Sequence, residues 1–216
     1  MDPLHFSVAA IPLAVYLLLI GILNLRKKPF VTTGARDSAA LAIGIAGLMF
    51  IGPMKLFFPE GAGSRFGVLV WVMLLTFYGL CVSLSVLLMR ARIVIYNISS
   101  EHLRPVLTNV ARKLDPKSRW TGDSLWMPDQ KVLLNLEPVD WLRTIELTAG
   151  GHQQSYDSWR KLEKELADAL SRTPTQPNVF GLLTLILSGV LFVGSIVWML
   201  IQQEKVVGAI KELLMY

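Results

Sequence analysis

The stretch LLMRARIVIYNISSEHLRPVL, residues 87–107, decides how this chain is laid out. It begins as an apolar run, passes Arg90 and Arg92, and turns apolar again for four residues before it becomes polar. Arginines at the end of a long apolar run are typical of the cytoplasmic boundary of a membrane helix. The run from Ile93 to Tyr96 is β-branched and aromatic, which favours a strand. The stretch therefore predicts a seam at which a membrane helix, anchored in the headgroups by both arginines, passes directly into a folded domain.

The composition is that of a membrane protein with a smaller water-exposed part. The chain has 216 residues, 53% of them hydrophobic and 17% charged, and its mean hydropathy is +0.49, whereas soluble domains carry about 25% charged residues. A net charge of +5 is the excess that membrane proteins gather on their cytoplasmic side, so we expect no nucleic-acid partner. The single cysteine, Cys81, leaves no intrachain disulfide and no zinc cluster.

Four apolar runs are long enough, at roughly 20 residues, to cross a hydrocarbon core. They cover residues 6–25, 38–58, 66–89 and 178–201. The first run is followed, not preceded, by basic residues, which predicts a retained helix instead of a cleavable signal peptide. Pro53 predicts a kink near the outer end of the second run. The short turn at 59–65 predicts that the second and third helices are an antiparallel pair.

The distribution of basic residues predicts the orientation. Most of them lie at one set of helix ends, namely Arg26, Lys27, Lys28, Arg36, Arg90, Arg92 and Arg172, against Lys55, Arg65, Lys205 and Lys211 at the other. The positive-inside rule then places both termini outside and residues 92–172 in the cytoplasm, and we expect a cell (inner) membrane. This orientation also puts four aromatic residues near the outer interface, namely Phe57, Phe58, Trp71 and Trp198.

Two further features belong to the membrane part. Small residues predict where helices contact one another, on the second run at Ala40, Gly44, Ala46 and Gly47 and on the fourth at Gly189, Gly194 and Ser195. Residues 202–216 are amphipathic. They fit either an interfacial helix on the outer surface or an extension of the fourth helix.

Residues 92–172 predict a small cytoplasmic α+β domain. A strand at 92–97 is followed by a helix with Leu103, Leu107, Val110 and Leu114 on one face. Three candidate strands, 118–128, 131–137 and 141–148, then alternate with tight turns, which favours an antiparallel meander. A last helix carries Trp159, Leu162, Leu166 and Leu170 on one face. The order β-α-β-β-β-α predicts a two-layer sandwich of four strands backed by two helices, whose exit through the Pro-rich linker 173–177 should be looser than its entry.

The residues that carry chemistry form no recognisable site. There is no phosphate-binding loop, the histidines His5, His102 and His152 lack metal-ligand spacing, and the apolar runs contain no Asp, Glu or His. We therefore assign no catalytic, cofactor-binding or metal-binding residue and expect no cofactor. Asp123, Asp129, Glu137, Asp140 and Glu146 are interpreted as solvated strand and turn carboxylates. Core packing is the favoured role of Trp120, Trp126, Trp141 and Trp159, with a partner surface as the alternative.

Three functions fit this sequence. The leading hypothesis is an accessory, scaffolding or regulatory protein that acts through its cytoplasmic domain, with the lipid bilayer and a protein partner or a second copy as its partners. The first alternative is a membrane-bound enzyme, or a sensor of a small ligand or lipid, that uses His102, Asp123, Arg143 or His152 in a cleft beside the bilayer. The second alternative is a passive transport component.

Overall fold

The computed structural model describes residues 3–54, 68–139, 143–151 and 154–208. The chain forms two compact units: unit 1 holds residues 1–19, 38–88 and 184–216, and unit 2 holds residues 20–37 and 89–183. The predicted turn at 59–65, the residues Lys55, Phe57 and Phe58, and the end of the tail at 209–216 lie outside the described residues. Residues 203–208 of the tail are helical.

Four helices are long and apolar enough to cross a membrane, as the sequence predicts. They are α1 (Pro3–Leu25), α2 (Gly34–Met49), α3 (Val68–Leu88) and α6 (Val179–Ile201). A π-helical turn, Phe50–Met54, follows α2 and contains Pro53. Because proline lacks an N–H and its ring crowds the preceding turn, a departure from α-helical bonding is expected at this position.

Within unit 1, α2 packs against α1 through two of the predicted small residues. A Cβ atom at Gly44 would lie 2.6 Å from the Cβ of Tyr16, and one at Gly47 would overlap the carbonyl oxygen of Val8. Such close approach of two backbones requires glycine. The prediction of a helix contact at these positions is therefore confirmed.

The small residues on α6 behave differently from one another. The Ser7 hydroxyl on α1 donates a hydrogen bond to the carbonyl oxygen of Ser195 (3.4 Å), which places Ser195 at a helix contact. A Cβ at Gly189 or Gly194 would meet no atom of the described residues within 4 Å. These two glycines therefore do not mark a contact within the described chain.

Unit 2 contains a six-stranded antiparallel sheet. Its strands are β1 (Phe30–Thr33), β2 (Arg92–Tyr96), β3 (Arg119–Thr121), β4 (Ser124–Met127), β5 (Val132–Val139) and β6 (Thr144–Ala149). Their spatial order is β1-β2-β6-β5-β4-β3. Strands β3 to β6 form the predicted meander, and β6 returns to pair with β2, with Ile93 opposite Leu147.

The prediction of four strands is wrong, for two physical reasons. Strand β1 comes from between α1 and α2 and pairs with β2, and its sequence FVTT does not alternate apolar with polar residues. The predicted strand 118–128 is a hairpin of β3 and β4 that turns at Gly122, whose φ of 62° is readily adopted by glycine. The order within residues 92–172 is therefore β-α-β-β-β-β-α.

Two amphipathic helices cover one face of the sheet. They are α4 (Ser100–Leu114) and α5 (Tyr156–Leu170). Their buried residues are Leu103, Leu107, Val110 and Ala111 on α4 and Trp159, Leu162, Leu166 and Leu170 on α5. These side chains pack on the inward residues of the strands, such as Ile93, Leu134 and Leu147. Apart from Leu114, which is only partly buried, the apolar faces predicted for both helices lie in this core.

An ion pair joins α4 to α5 at the surface. The Lys113 ammonium lies 2.6 Å from a carboxylate oxygen of Glu165, and the hydrogen bond and the positive charge of Lys113 lower the pKa of Glu165. Stability from a carboxyl group with a lowered pKa is present above its unfolded-state pKa and is lost as the pH falls through the folded-state pKa. Because both side chains are solvent-screened, the effect is small.

Removal of the Glu165 carboxylate should therefore make the stability of the protein depend less on pH below neutrality. In a Glu165→Gln variant, we expect the melting temperature to fall less than in the parent when the pH is lowered from 7 to about 3. Near pH 7 the variant should be slightly less stable. Parallel curves for the two proteins would contradict the ion pair, and Asp168→Gln, outside the pair, serves as the control.

The end of β2 is bound to the chain just beyond α1. Asn97 is fully buried and has a φ of 59°, a left-handed conformation that asparagine tolerates better than most residues. Its Nδ2 donates hydrogen bonds to the carbonyl oxygen of Arg26 (2.6 Å) and to the hydroxyl of Thr175 (3.2 Å). We call Asn97, Arg26 and Thr175 the Asn97 joint.

The predicted Pro-rich linker, residues 173–177, is hydrogen-bonded to the chain around the end of α1. The backbone N–H of Thr175 donates to the carbonyl of Lys27 (2.9 Å), and that of Asn178 to the carbonyl of Asn24 (3.1 Å). Arg143 also donates from Nη1 to the carbonyl of Gln176 (3.1 Å). Proline content indicated a linker, but these hydrogen bonds fix it against the end of α1.

Candidate functional site

The candidate site is the face of the sheet opposite α4 and α5, which we call the open face. Directly paired residues of antiparallel strands point to the same face, so the strand register places two cross-strand rows there. The first row is Arg119, Trp126 and Leu133. The second row is polar and crosses five strands through Thr121, Ser124, Asn135, Thr148 and Arg92.

Trp126 is the exposed aromatic residue at the centre of the first row. Its neighbours along β4, Leu125 and Met127, are 1% exposed and belong to the core, whereas Trp126 is 43% exposed. Alternation along a strand that is covered on one side requires this arrangement. Trp126 is therefore not in the core, which is the favoured role for the tryptophans, while Trp159 is in the core and Trp141 lies outside the described residues.

The β1–β2 side of the open face is covered. Four residues that point to this face are buried, namely Thr32, Val94, Tyr96 and Thr144. The Tyr96 hydroxyl donates a hydrogen bond to the carboxylate of Asp37, which lies in the first turn of α2. The open face thus has a covered half at β1 and β2 and an exposed half at β3, β4 and β5.

Arg92 lies in a charged network at the border of the two halves. Its guanidinium is 2.8 Å from the carboxylate of Glu146 and 3.6 Å from that of Asp37. A Cβ at Gly34 would lie 2.7 Å from the Arg92 Nε, so glycine leaves room for this side chain. The charge of Arg92, which the sequence assigned to the headgroups, is paired within unit 2.

A shallow polar cleft of about 360 Å³ lies next to this network. Its walls come from the chain entering β2, from β5 and from the end of β6, namely Met89, Arg90, Ala91, Arg92, Asn135, Glu137, Thr148, Ala149 and Gly150. The Thr148 hydroxyl donates to Glu137 (2.7 Å). Arg90 is exposed and has no ion pair with any residue that the structure describes. The cleft offers charged and polar groups for binding.

The histidines considered at the sequence level do not form a site. His102 Nδ1 lies 2.7 Å from the Ser99 hydroxyl at the exposed start of α4, a local contact between residues three apart. His152 lies outside the described residues. Across residues 3–54, 68–139, 143–151 and 154–208, no three His, Cys, Asp or Glu side chains are grouped as a metal site.

The other two candidates have separate partners on different elements. Asp123 lies 3.6 Å from Arg104 on α4, and its side chain is 77% exposed. Arg143 has a φ of 50° and donates to the carbonyl of Gln176. Asp140 lies outside the described residues, while Asp129 pairs with Lys117 at 3.0 Å, which raises the pKa of Lys117.

Sequence reasoning missed the network around Arg92 because it placed Asp37 in the membrane part. The signal that could have found it is FVTT at Phe30–Thr33, whose aromatic and β-branched residues favour a strand. A strand at that position brings the start of α2, and hence Asp37, next to β2.

Comparison with known proteins gives no relative. No family model matches this sequence, and neither a curated protein nor a solved structure matches it.

Proposed function

We propose that this chain is an integral membrane protein that acts by binding, in an accessory or regulatory role, and that the open face is its binding surface. In this proposal α1, α2, α3 and α6 span the bilayer of a cell (inner) membrane. Both termini lie outside, and the α+β part, residues 92–172, lies in the cytoplasm. The basic residues at the helix ends support this orientation.

The observation that carries the proposal is the exposure of Trp126 on a half-covered sheet. Tryptophan and arginine are the residues most enriched at energetically important contacts, and Trp126 lies between Arg119 and Leu133 on adjacent strands. A sheet face that only faced water would have no need of a large aromatic side chain at its centre. The nearby cleft extends the same surface with polar groups.

Binding is favoured over catalysis by the positions of the candidate residues. His102, Asp123 and Arg143 each contact a separate partner, namely Ser99, Arg104 and Gln176, and none of these contacts links one of the three to another as an acid, base and nucleophile set requires. The cleft brings together two arginines, a carboxylate, a hydroxyl and an amide group, a combination suited to holding a polar group.

A photo-crosslinking amino acid at residue 126 tests this proposal. In native membranes, we expect Trp126→benzoylphenylalanine to give a specific covalent adduct with a lipid, a second copy or another protein. The matched control is the same substitution at Tyr156, which is an aromatic residue on α5 and is 79% exposed. Adducts are identified by mass spectrometry. Equal labelling at the two positions would contradict a binding role for the open face.

A further inference from the structure

The polar cleft on the open face has two walls of different chemistry, and all of its residues belong to unit 2. Its volume of about 360 Å³ is in the range of small-molecule sites. Arg90 and Arg92, at the start of β2, form one wall, and Asn135 and Glu137 of β5 form the other. Strand β6 lies between them, so the backbones of the two walls are about 10 Å apart. The floor is low because the residue that follows β6 is Gly150, which has no side chain.

The positive charge of Arg92 is already balanced by neighbouring carboxylates. Its guanidinium lies 2.8 Å from the carboxylate of Glu146 and 3.6 Å from that of Asp37. These two negative charges exceed the single positive charge of Arg92. A ligand with several negative charges would therefore be repelled by this part of the cleft, which is unsuited to a polyphosphate.

The other polar groups of the cleft keep hydrogen-bonding capacity for a ligand. Arg90 is exposed, and no ion pair joins it to a residue that the structure describes. Asn135 accepts a hydrogen bond from Ser124 through Oδ1 (2.7 Å), which leaves its Nδ2 as a donor. Glu137 accepts one from Thr148 through Oε1 (2.7 Å), which leaves Oε2 and the hydroxyl oxygen as acceptors. The cleft thus offers two donor groups, one of them positive, and two acceptor groups, one of them negative.

This set of groups is complementary to a small molecule that carries both charges. A guanidinium and an amide N–H bind the oxygens of a carboxylate or a phosphodiester. A carboxylate and a hydroxyl oxygen accept hydrogen bonds from an ammonium group, which has three donors. Because the charges that remain are one positive and one negative, a ligand with no net charge satisfies both walls at once.

We propose that the cleft binds a small zwitterion, a molecule with one ammonium group and one carboxylate or phosphodiester group. Arg90 and Asn135 bind the anionic group, and Glu137 and Thr148 bind the ammonium group. A free amino acid and the phosphoethanolamine headgroup of a lipid share this chemistry. This inference rests on the proposed function, because it names a ligand class for the polar part of the same surface.

Isothermal titration calorimetry on the full chain in lipid nanodiscs tests the site. The nanodiscs contain phosphatidylglycerol alone, so that no lipid in the sample carries an ammonium group. The probes are the standard amino acids and glycerophosphoethanolamine, which represents the lipid headgroup. N-acetyl derivatives of both, which lack the ammonium group, and amino-acid methyl esters, which lack the carboxylate, are measured beside them.

We expect at least one zwitterionic probe to bind, and the derivatives that lack one charged group to bind about tenfold more weakly or less. Arg90→Gln and Glu137→Gln should each weaken binding of the zwitterion by a similar factor, because each removes a charge-assisted hydrogen bond. Arg119→Gln, at an exposed position on β3, and Glu165→Gln on α5 are the matched controls outside the cleft and should bind like the parent. Melting temperatures without a probe show whether each variant is folded.

The outcomes separate the two sources and the two proposals. Binding of glycerophosphoethanolamine alone would identify a lipid headgroup as the ligand, and binding of amino acids alone would identify a free metabolite. Equal binding of a zwitterion and its N-acetyl derivative would overturn the inference, since Glu137 would then have no ammonium group to bind. Failure of every probe to bind the parent, together with a specific adduct at residue 126, would overturn the inference alone. Failure of both experiments would overturn the proposed function as well.

Discussion

Replacing Asn97 by alanine should destabilise unit 2 by about 2–4 kcal/mol. The change removes two hydrogen bonds from a fully buried side chain, and it leaves the carbonyl of Arg26 without its side-chain donor, each loss costing about 1 kcal/mol or more. It also forces alanine into a left-handed conformation, φ 59° in the native chain, at about 1–2 kcal/mol. The free energy of unfolding, measured by denaturant titration followed by circular dichroism, reports the loss.

Two further variants separate the causes. Asn97→Gly also loses the hydrogen bonds but adopts the left-handed conformation freely, so it should be about 1 kcal/mol more stable than Asn97→Ala. Asn109→Ala, at an exposed position on α4, should stay within about 0.5 kcal/mol of the parent. Equal stability of all three variants and the parent would show that the Asn97 joint does not hold β2 in place.

The second large effect is expected in unit 1, from Gly47→Ala. The new Cβ would overlap the carbonyl oxygen of Val8 and lie 3.1 Å from the Cα of Ala9. Both are backbone atoms of α1, so no side-chain rotation can relieve the clash, and the two helices must move apart. Overpacking of this kind costs about 1–3 kcal/mol, and the separation also removes close contacts that stabilise helix pairs in lipid.

Thermal unfolding in lipid nanodiscs measures this effect against a matched control. A Cβ at Gly79 in the interior of α3 would meet no atom of the described residues within 4 Å. Gly79→Ala should therefore be neutral or slightly stabilising, because alanine is the better helix former by about 1 kcal/mol. A melting temperature for Gly47→Ala at or above that of Gly79→Ala would show that α1 and α2 do not pack through Gly47.

The large elements were predictable because their patterns are long. The apolar run at 6–25 can be recognised from the local sequence alone. The same is true of the buried face of a helix with Leu162, Leu166 and Leu170 on one side. Alternation also identified the inward residues Val132, Leu134 and Leu136 of β5, all of which are buried.

The missed features depend on residues far apart in the sequence. Strand β1 has only four residues and forms by hydrogen bonding to the edge of β2. In the sequence, Asn97 cannot be distinguished from an ordinary turn asparagine, because its partners, Arg26 and Thr175, are far away along the chain. The exposed half of the open face could have been found in part, since alternation through Leu125, Trp126 and Met127 puts the tryptophan on the side away from the core.

The pairing of β1 with β2 also limits how many times the chain can pass through a bilayer. The two strands are hydrogen-bonded neighbours, although the whole of residues 34–91 lies between them, and a ladder of backbone hydrogen bonds cannot extend across hydrocarbon. The intervening chain must return to the side it left, so any bilayer crossings within it are even in number, and the two long apolar helices α2 and α3 fit this requirement. The hydrogen bond from the Asn178 N–H to the carbonyl of Asn24 joins the start of α6 to the end of α1. The number of bilayer crossings between these two helices must therefore also be even. Sheet pairing thus restricts the membrane topology without any appeal to loop charge.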